Sequence, residues 1–333
     1  MELIKKLCSI YGPSGREEQI RDIIEDEIRK YCRDIKVDRL GNLIACKPAS
    51  KKRKNSDKIM LCAHMDEIGL IVTHIDKKGF LRFTNIGGLF PLRILYQRVI
   101  FANGTIGVIG AETKSETPKP PGLDNMFIDI GAKDSNEAEK LVRIGDIASF
   151  HREFTHINKR ISAKAIDDRI GCFCLIECIK KIKNNKDDLY FVFTVQEEVG
   201  LRGARTGAYA IGPEYAIAVD VTATGDTPEC PTMAVSLGEG VAIKVKDHDF
   251  ISNPIINDKM IAYAERLKIP YQLEILEWGT TDASIIQIMR GGVLSGVLSI
   301  PTRYIHSPNE VCDLDDVHGA VDLLSYIGEH GMR

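Results

Sequence analysis

Hydrophobic and polar positions follow two regimes along this chain. In the first, short apolar runs are almost unbroken by polar residues. Examples are Ile59-Met60-Leu61-Cys62-Ala63, Leu189-Tyr190-Phe191-Val192-Phe193, Tyr215-Ala216-Ile217-Ala218-Val219 and Gly292-Val293-Leu294-Ser295-Gly296-Val297-Leu298. Runs of this length and make-up predict strands buried on both faces. Helical spacing separates them. Ile20, Ile23, Ile24 and Ile28 fall on one helical face, behind a capping-box pattern at Ser14-Gly15-Arg16-Glu17. A strand pair around Ile35-Val37 and Asn42-Ala45 turns at Gly41. Beyond Ser162 the pattern predicts helix 168–183, strand 189–195, helix 203–210, strands 215–220 and 241–246, helix 254–267, strand 270–276, helix 282–290, strand 293–298 and helix 313–330.

The second regime spans about Gly69 to Ser162. Short apolar runs recur at Leu70-Val72, Phe80-Phe83, Arg98-Phe101, Thr105-Ile109, Met126-Ile128 and Ile147-Phe150. Gly87-Gly88, Asn103-Gly104 and the stretch Pro118 to Gly122 punctuate them as turns. The one helical exception is Ser135 to Leu141. Many short strands with few helices predict a small β-barrel or sandwich. The expected organisation is an α/β domain of residues 1–68 plus 164–333, interrupted by an inserted β domain at 69–163.

Composition narrows the function. A net charge of −3 over 333 residues favours neither nucleic acid nor an anionic membrane. The basic run Lys51, Lys52, Arg53 and Lys54 is isolated and reads as a solvated loop, not the domain-wide footprint of a nucleic-acid binder. The nine cysteines lack paired zinc-finger spacing, and their odd number fits a reducing compartment. No signal-peptide core and no membrane-length apolar run occur, so a cytoplasmic protein is expected.

The chemistry gathers where the buried runs end. The strand at 189–195 leads into Gln196-Glu197-Glu198-Val199-Gly200. Two adjacent carboxylates at the mouth of a core strand are costly to desolvate without a counter-charge. His64 and Asp66 close the strand that begins near Lys58, and their spacing of two sends both to the same side in extended chain. Asp220 ends another run, His306 follows the last, and Asp167-Asp168 opens a helical segment. Taken singly, each has a plain structural reading, as helix cap, loop residue or satisfied core histidine. Together they form a His, Asp and Glu donor set suited to zinc, cobalt or manganese.

Five ordered motifs carry a family resemblance: His64-Met65-Asp66-Glu67-Ile68-Gly69, Ala165-Ile166-Asp167-Asp168-Arg169, Gln196-Glu197-Glu198-Val199-Gly200, Val219-Asp220-Val221-Thr222 and Ile305-His306-Ser307. Over essentially its whole length the chain resembles the tetrahedral (TET) metalloaminopeptidases. That group includes glutamyl and deblocking aminopeptidases and members labelled cellulase M or endoglucanase. The resemblance implies a mixed-sheet, hydrolase-like α/β fold with an inserted barrel, and two divalent ions per subunit. His64 and Asp220 would be terminal ligands of one ion, Glu198 and His306 of the other, with Asp167 bridging. Glu197 would be the general base, and Asp66 would hold His64 from behind. The implied substrates are short peptides, and the implied assembly is a dimer that builds a tetrahedral dodecamer, with the inserted domain at the dimer contact. A carboxypeptidase or deacylase would use the same donor set. An endoglucanase would instead need two metal-free carboxylates and aromatic sugar platforms, against one tryptophan here, Trp278. The chain departs from the family pattern at Gly110-Ala111-Glu112-Thr113-Lys114, where many relatives carry Pro and His. It also reads Gly279-Thr280-Thr281-Asp282 where Gly-Gly-Thr-Asp is usual.

Overall fold

A computed structural model describes residues 1–32, 34–51, 56–112 and 121–333. Most of the basic run at 51–54, the start of the Pro118 turn, and Thr113-Lys114 lie outside the described residues.

The apolar runs form the middle of one large mixed sheet. Four neighbouring strands there, Asp188–Thr194, Lys58–His64, Tyr215–Thr222 and Leu294–Arg303, are mutually parallel. Their continuous apolar character follows from being covered twice. Alternate residues of one strand enter different cores: Ile59, Leu61 and Ala63 pack on one face, Met60 and Cys62 on the other. The first face is covered by helices Glu18–Ile28, Ile166–Lys181 and Leu314–His330, and the second by Arg202–Ile211 and Asp282–Ile286. No helix among the described residues is long and apolar enough to cross a membrane.

The second regime is a closed antiparallel barrel of Gly69–Ile75, Leu81–Ile86, Met126–Asp129, Ile106–Ala111, Arg98–Phe101 and Ile147–Phe150. Every predicted run there becomes a barrel strand. Five of the six bury mainly one face, while Ile147–Phe150 is buried throughout, around a separate core that includes Leu70, Val72, Phe83, Val99, Ile109 and Ile128. That one-sided burial is why these segments are interrupted by polar residues.

Several details differ from the sequence expectation. Thr155–Ile157 and Arg160–Ala163, expected within the inserted domain that runs to residue 163, hydrogen-bond into the large sheet through the unpredicted strand Glu310–Asp313. Helix 282–290 stops at Ile286, and strand 293–298 continues to Arg303 because it gains pairing on both sides. An unpredicted helix, Glu2–Ser9, begins the chain. The capping box does not form. The helix starts at Glu18 without a side-chain cap. Ser14 Oγ donates instead to Asp66 Oδ2 at 2.6 Å, and Glu17 accepts from the amides of Gly15 and Gln196. As a cap Ser14 would accept a backbone N–H, whereas here its hydroxyl donates a charge-assisted hydrogen bond to the buried Asp66 carboxylate.

Candidate active site

The sheet opens where the donors sit. Strands Lys58–His64 and Tyr215–Thr222 pair in register only as far as Cys62 and Ala218, two residues short of His64 and Asp220. The splayed carboxyl ends leave a crevice, the usual ligand position in open α/β sheets. It widens into a cleft of about 700 Å³ lined by His64, Asp167, Glu197, Glu198, Asp220 and His306.

Each donor is delivered by a different local device. His64 ends a core strand with its ring 2 % exposed. Its Nδ1 lies 3.1 Å from the Asp66 carbonyl oxygen, which makes Nδ1 the donor and turns the Nε2 lone pair toward the cleft. Asp167 and Asp168 precede the regular part of their helix, joined by a cis peptide. Asp168 turns inward, accepting from the amides of His64 at 3.1 Å and Gly171 at 3.1 Å. Asp167 turns to the cleft. Its Oδ1 lies 3.0 Å from His64 Nε2, and its Oδ2 lies 3.3 Å from His306 Nε2. Gln196, two residues past the end of strand Asp188–Thr194 and at φ 56°, starts the tight turn that carries Glu197 and Glu198. His306 also has positive φ, at 59°, in the loop after the long strand. Its Nε2 lies 3.2 Å from Glu198 Oε1.

Three overlapping groups of potential donors result, one of them His64, Glu197 and Glu198. In the other two, His64, Asp167 and Asp220 can place their ligand atoms within 4.8 Å of one another, and so can Asp167, Glu198 and His306. Asp167 belongs to both of these. Glu197 adjoins the one with Asp220, with Oε2 4.0 Å from His64 Nε2. All seven residues singled out from the sequence therefore lie at this one site, with Asp66 just behind. The Asp66 carboxylate does more than back His64, from which Oδ1 stands 3.6 Å away. It accepts the amides of Glu197 at 3.0 Å and Glu198 at 3.2 Å, and so ties the acidic turn to the strand that bears His64.

The electrostatics are those of concentrated negative charge out of water. Burial pushes the carboxyls of Glu197, Asp220 and Glu198 up, against the pull of the neighbouring histidines. Burial would lower the basicity of both histidines, but the carboxylates outweigh it. Asp167 and Asp66 hold His64 well above the usual range, and Glu198 and Asp167 do so for His306. For Asp167 burial is overridden by two flanking histidines, and its carboxyl is held low. Fully buried Lys244 reaches the same cleft but is engaged by Glu274 at 2.6 Å. A set of clustered oxygen and imidazole donors short of positive charge fits divalent cations of the zinc, cobalt or manganese type.

Sequence reasoning did not find two supporting residues. Glu310 is 1 % exposed and uses both carboxylate oxygens on the site, accepting the Asp167 amide at 2.9 Å and the His306 amide at 2.8 Å. It lies in a short strand with no periodic signal. Asp168 was visible only as a helix-capping acid. Thr280 and Thr281 of the altered Gly279 to Asp282 stretch line the cleft, while Asp282 is buried and accepts from Thr194 Oγ1 at 2.6 Å. Burial pushes the Asp282 carboxyl up to about 6.

Known proteins with this arrangement are informative. Residues 41–323 match the family described as M42 glutamyl aminopeptidase. A lysyl aminopeptidase of Pyrococcus furiosus is 38 % identical, over 97 % of this chain and 94 % of its own. The solved structure of an aminopeptidase from the archaeon Desulfurococcus kamchatkensis superposes with a TM-score of 0.95 at 42 % identity, over 99 % of this chain and 94 % of that one. The TET1 peptidase of Pyrococcus horikoshii, described as able to assemble into a tetrahedron or a large octahedral shell, superposes with a TM-score of 0.89 at 35 % identity, over 99 % of each chain. The protein belongs to the M42 glutamyl aminopeptidase family and is an enzyme that hydrolyses peptide bonds.

Proposed function

We propose that this enzyme is a dinuclear-metal-dependent aminopeptidase that removes N-terminal residues from short peptides. The observation that carries the proposal is the pair of donor groups sharing Asp167. In this reading His64 and Asp220 would hold one cation and Glu198 and His306 the other, with Asp167 shared between the two groups. Three carboxylate ligands against two divalent ions would leave one net positive charge at the centre. Zinc, cobalt and manganese all suit such donors. When bound, the pair supplies Lewis acidity at the scissile carbonyl and acidifies the attacking water, to a pKa of about 7.

The remaining work falls to side chains of the chain itself. Glu197 takes the proton of the attacking water and returns it to the amine nitrogen as the C–N bond breaks, releasing an amino acid and a shortened peptide. Asp66 fixes the turn from which Glu197 projects, through the two amide hydrogen bonds. Adjacent Glu197 and Glu198 can divide the labour because consecutive residues in the turn diverge, one toward each half of the site.

Self-association belongs to the same reading. Leu92, Tyr96 and Ile144 of the inserted region are 69 %, 68 % and 64 % exposed, which supports the barrel as a contact surface between copies. The tetrahedron described for the Pyrococcus horikoshii relative supports a closed assembly of this chain, in our reading dimers that build a tetrahedral dodecamer. Enclosure of the sites would admit short peptides and exclude folded chains. The nine free cysteines support a reducing, cytoplasmic setting.

The test is hydrolysis of aminoacyl-nitroanilides and free peptides after chelation, then after adding back zinc, cobalt or manganese. Loss and recovery of activity are expected, with N-acetylated peptides left intact. Full activity in a verified metal-free sample would overturn the metal reading. Cleavage of acetylated peptides from the carboxyl end would make the enzyme a carboxypeptidase.

A further inference from the structure

The barrel approaches the catalytic cluster at the turn that follows strand Leu81–Ile86. A Cβ placed on Gly88 would stand 2.8 Å from His306 Nδ1 and 3.1 Å from its Cε1. On Gly87 it would meet Glu198 Oε2 at 2.7 Å and Ile68 Cγ2 at 2.8 Å, in a backbone at φ 73°. Among the described residues these are the glycines whose added Cβ would press on the six clustered side chains. Both face the same half of the site. The turn is itself braced. Asn85 Nδ2 donates to the Gly87 carbonyl at 2.7 Å, and Ile94 beyond it is fully buried in the barrel core. Arg93 lines the cleft and donates through Nη1 to the carbonyl of Ile305, the residue before His306.

The two histidines are therefore held differently. His64 Nδ1 has the Asp66 carbonyl behind it. For His306 Nδ1 no protein hydrogen bond occurs among the described residues, and the surface behind the ring is the Gly88 backbone. We infer that Gly87 and Gly88 are positioning residues through which the inserted barrel completes the Glu198 and His306 half of the dinuclear site. The sheet domain alone builds the His64 and Asp220 half. This rests on the dinuclear reading. It adds that the two cations have separable determinants, one within the sheet and one at the contact between sheet and barrel.

The experiment is equilibrium binding of zinc to chelator-stripped protein, read by calorimetry and by metal content after dialysis. Wild type is expected to take up two ions. Gly88 does not occupy the left-handed region, so Gly88→Ala adds bulk without backbone strain. It should leave the first ion's affinity unchanged and weaken the second by about tenfold or more, the scale for loss of support behind a ligand. Arg93→Ala, a change at an exposed side chain, should shift the second ion in the same direction by less. Circular dichroism and melting of the stripped proteins check the fold, and Arg93→Ala decides the matter if Gly88→Ala does not fold. Two ions at wild-type affinity in the folded variants would overturn the inference, as would equal weakening of both ions. Fewer than two ions on wild type would instead overturn the dinuclear reading beneath it.

Discussion

The two halves of the site are made of similar residues and held by different means. The His64 half lies at the splayed ends of core strands. His64 is 2 % exposed, and every group around it comes from the large sheet domain. The His306 half is looser. Its histidine is 27 % exposed and projects from a loop, and the barrel forms part of its wall. The difference teaches that burial gives a ligand precision at the cost of adaptability, whereas a contact between domains leaves a ligand able to respond to what binds. Lining the cleft beside His306 are Phe90, Arg93 and Tyr304, so this is the half that a substrate's chain would disturb first.

The largest expected effect breaks the symmetry between the two glutamates. Glu197→Gln should lower turnover by at least about 10²-fold, the scale of a lost general base, while metal content stays at two. Glu198→Gln should instead lose the second ion. Steady-state kinetics with metal analysis on both variants checks this. Equal metal loss from both, with Glu197→Gln still active, would reverse the assigned roles.

Next in size is the contrast between the histidines. His64→Ala strands buried Asp66 and Asp167 without their partner, and should destabilise the metal-free fold by roughly 3 kcal/mol, as expected for a broken buried pair. His306→Ala also removes a partner of buried Asp167 and Glu198, but its ring is partly exposed, so the melting temperature of the stripped protein should fall by less. If the two variants melt together, the halves are not differently supported.

Glu310→Gln sharpens the comparison from beneath, since one carboxylate serves both Asp167 and His306. The amide can keep only one good acceptor. About a tenfold loss of zinc affinity is expected, with the ion bound by Glu198 and His306 most affected. Unchanged affinity for both ions in calorimetry would reduce Glu310 to a bystander.

The smallest effect concerns the strand that leads to His306. Arg303 grips Asp226 through two hydrogen bonds at 2.9 and 2.6 Å. Burial would raise the Asp226 carboxyl, but Arg303, the Leu237 amide and Thr224 hold it down at about 2. A lowered pKa stabilises the fold above the unfolded value of about 3.9, and that contribution fades as the pH falls toward 2. Asp226→Asn should therefore cost about 1 kcal/mol at neutral pH, little because the pair is partly exposed. The gap from wild type should close between pH 5 and pH 2 in thermal melts. A gap that persists at pH 2 would mean that the lost geometry matters, not the charge.

The sequence by itself determined the strands and the donor types. Burial on two faces writes unbroken apolar runs and burial on one face writes interrupted ones, so the large sheet and the barrel could be told apart along the chain. Carboxylates and histidines directly after core strands stood out because that placement is costly without a purpose. What the tertiary structure decided is partnership. Ser14 pairs with Asp66 across 52 positions instead of capping its own helix, and Glu310 supports Asp167 across 143. Two glycines that read only as a turn prove to lie against His306 and Glu198. Local spacing cannot encode such choices, because a hydrogen-bond acceptor or a close backbone approach depends on which distant segments the fold brings to the same buried point.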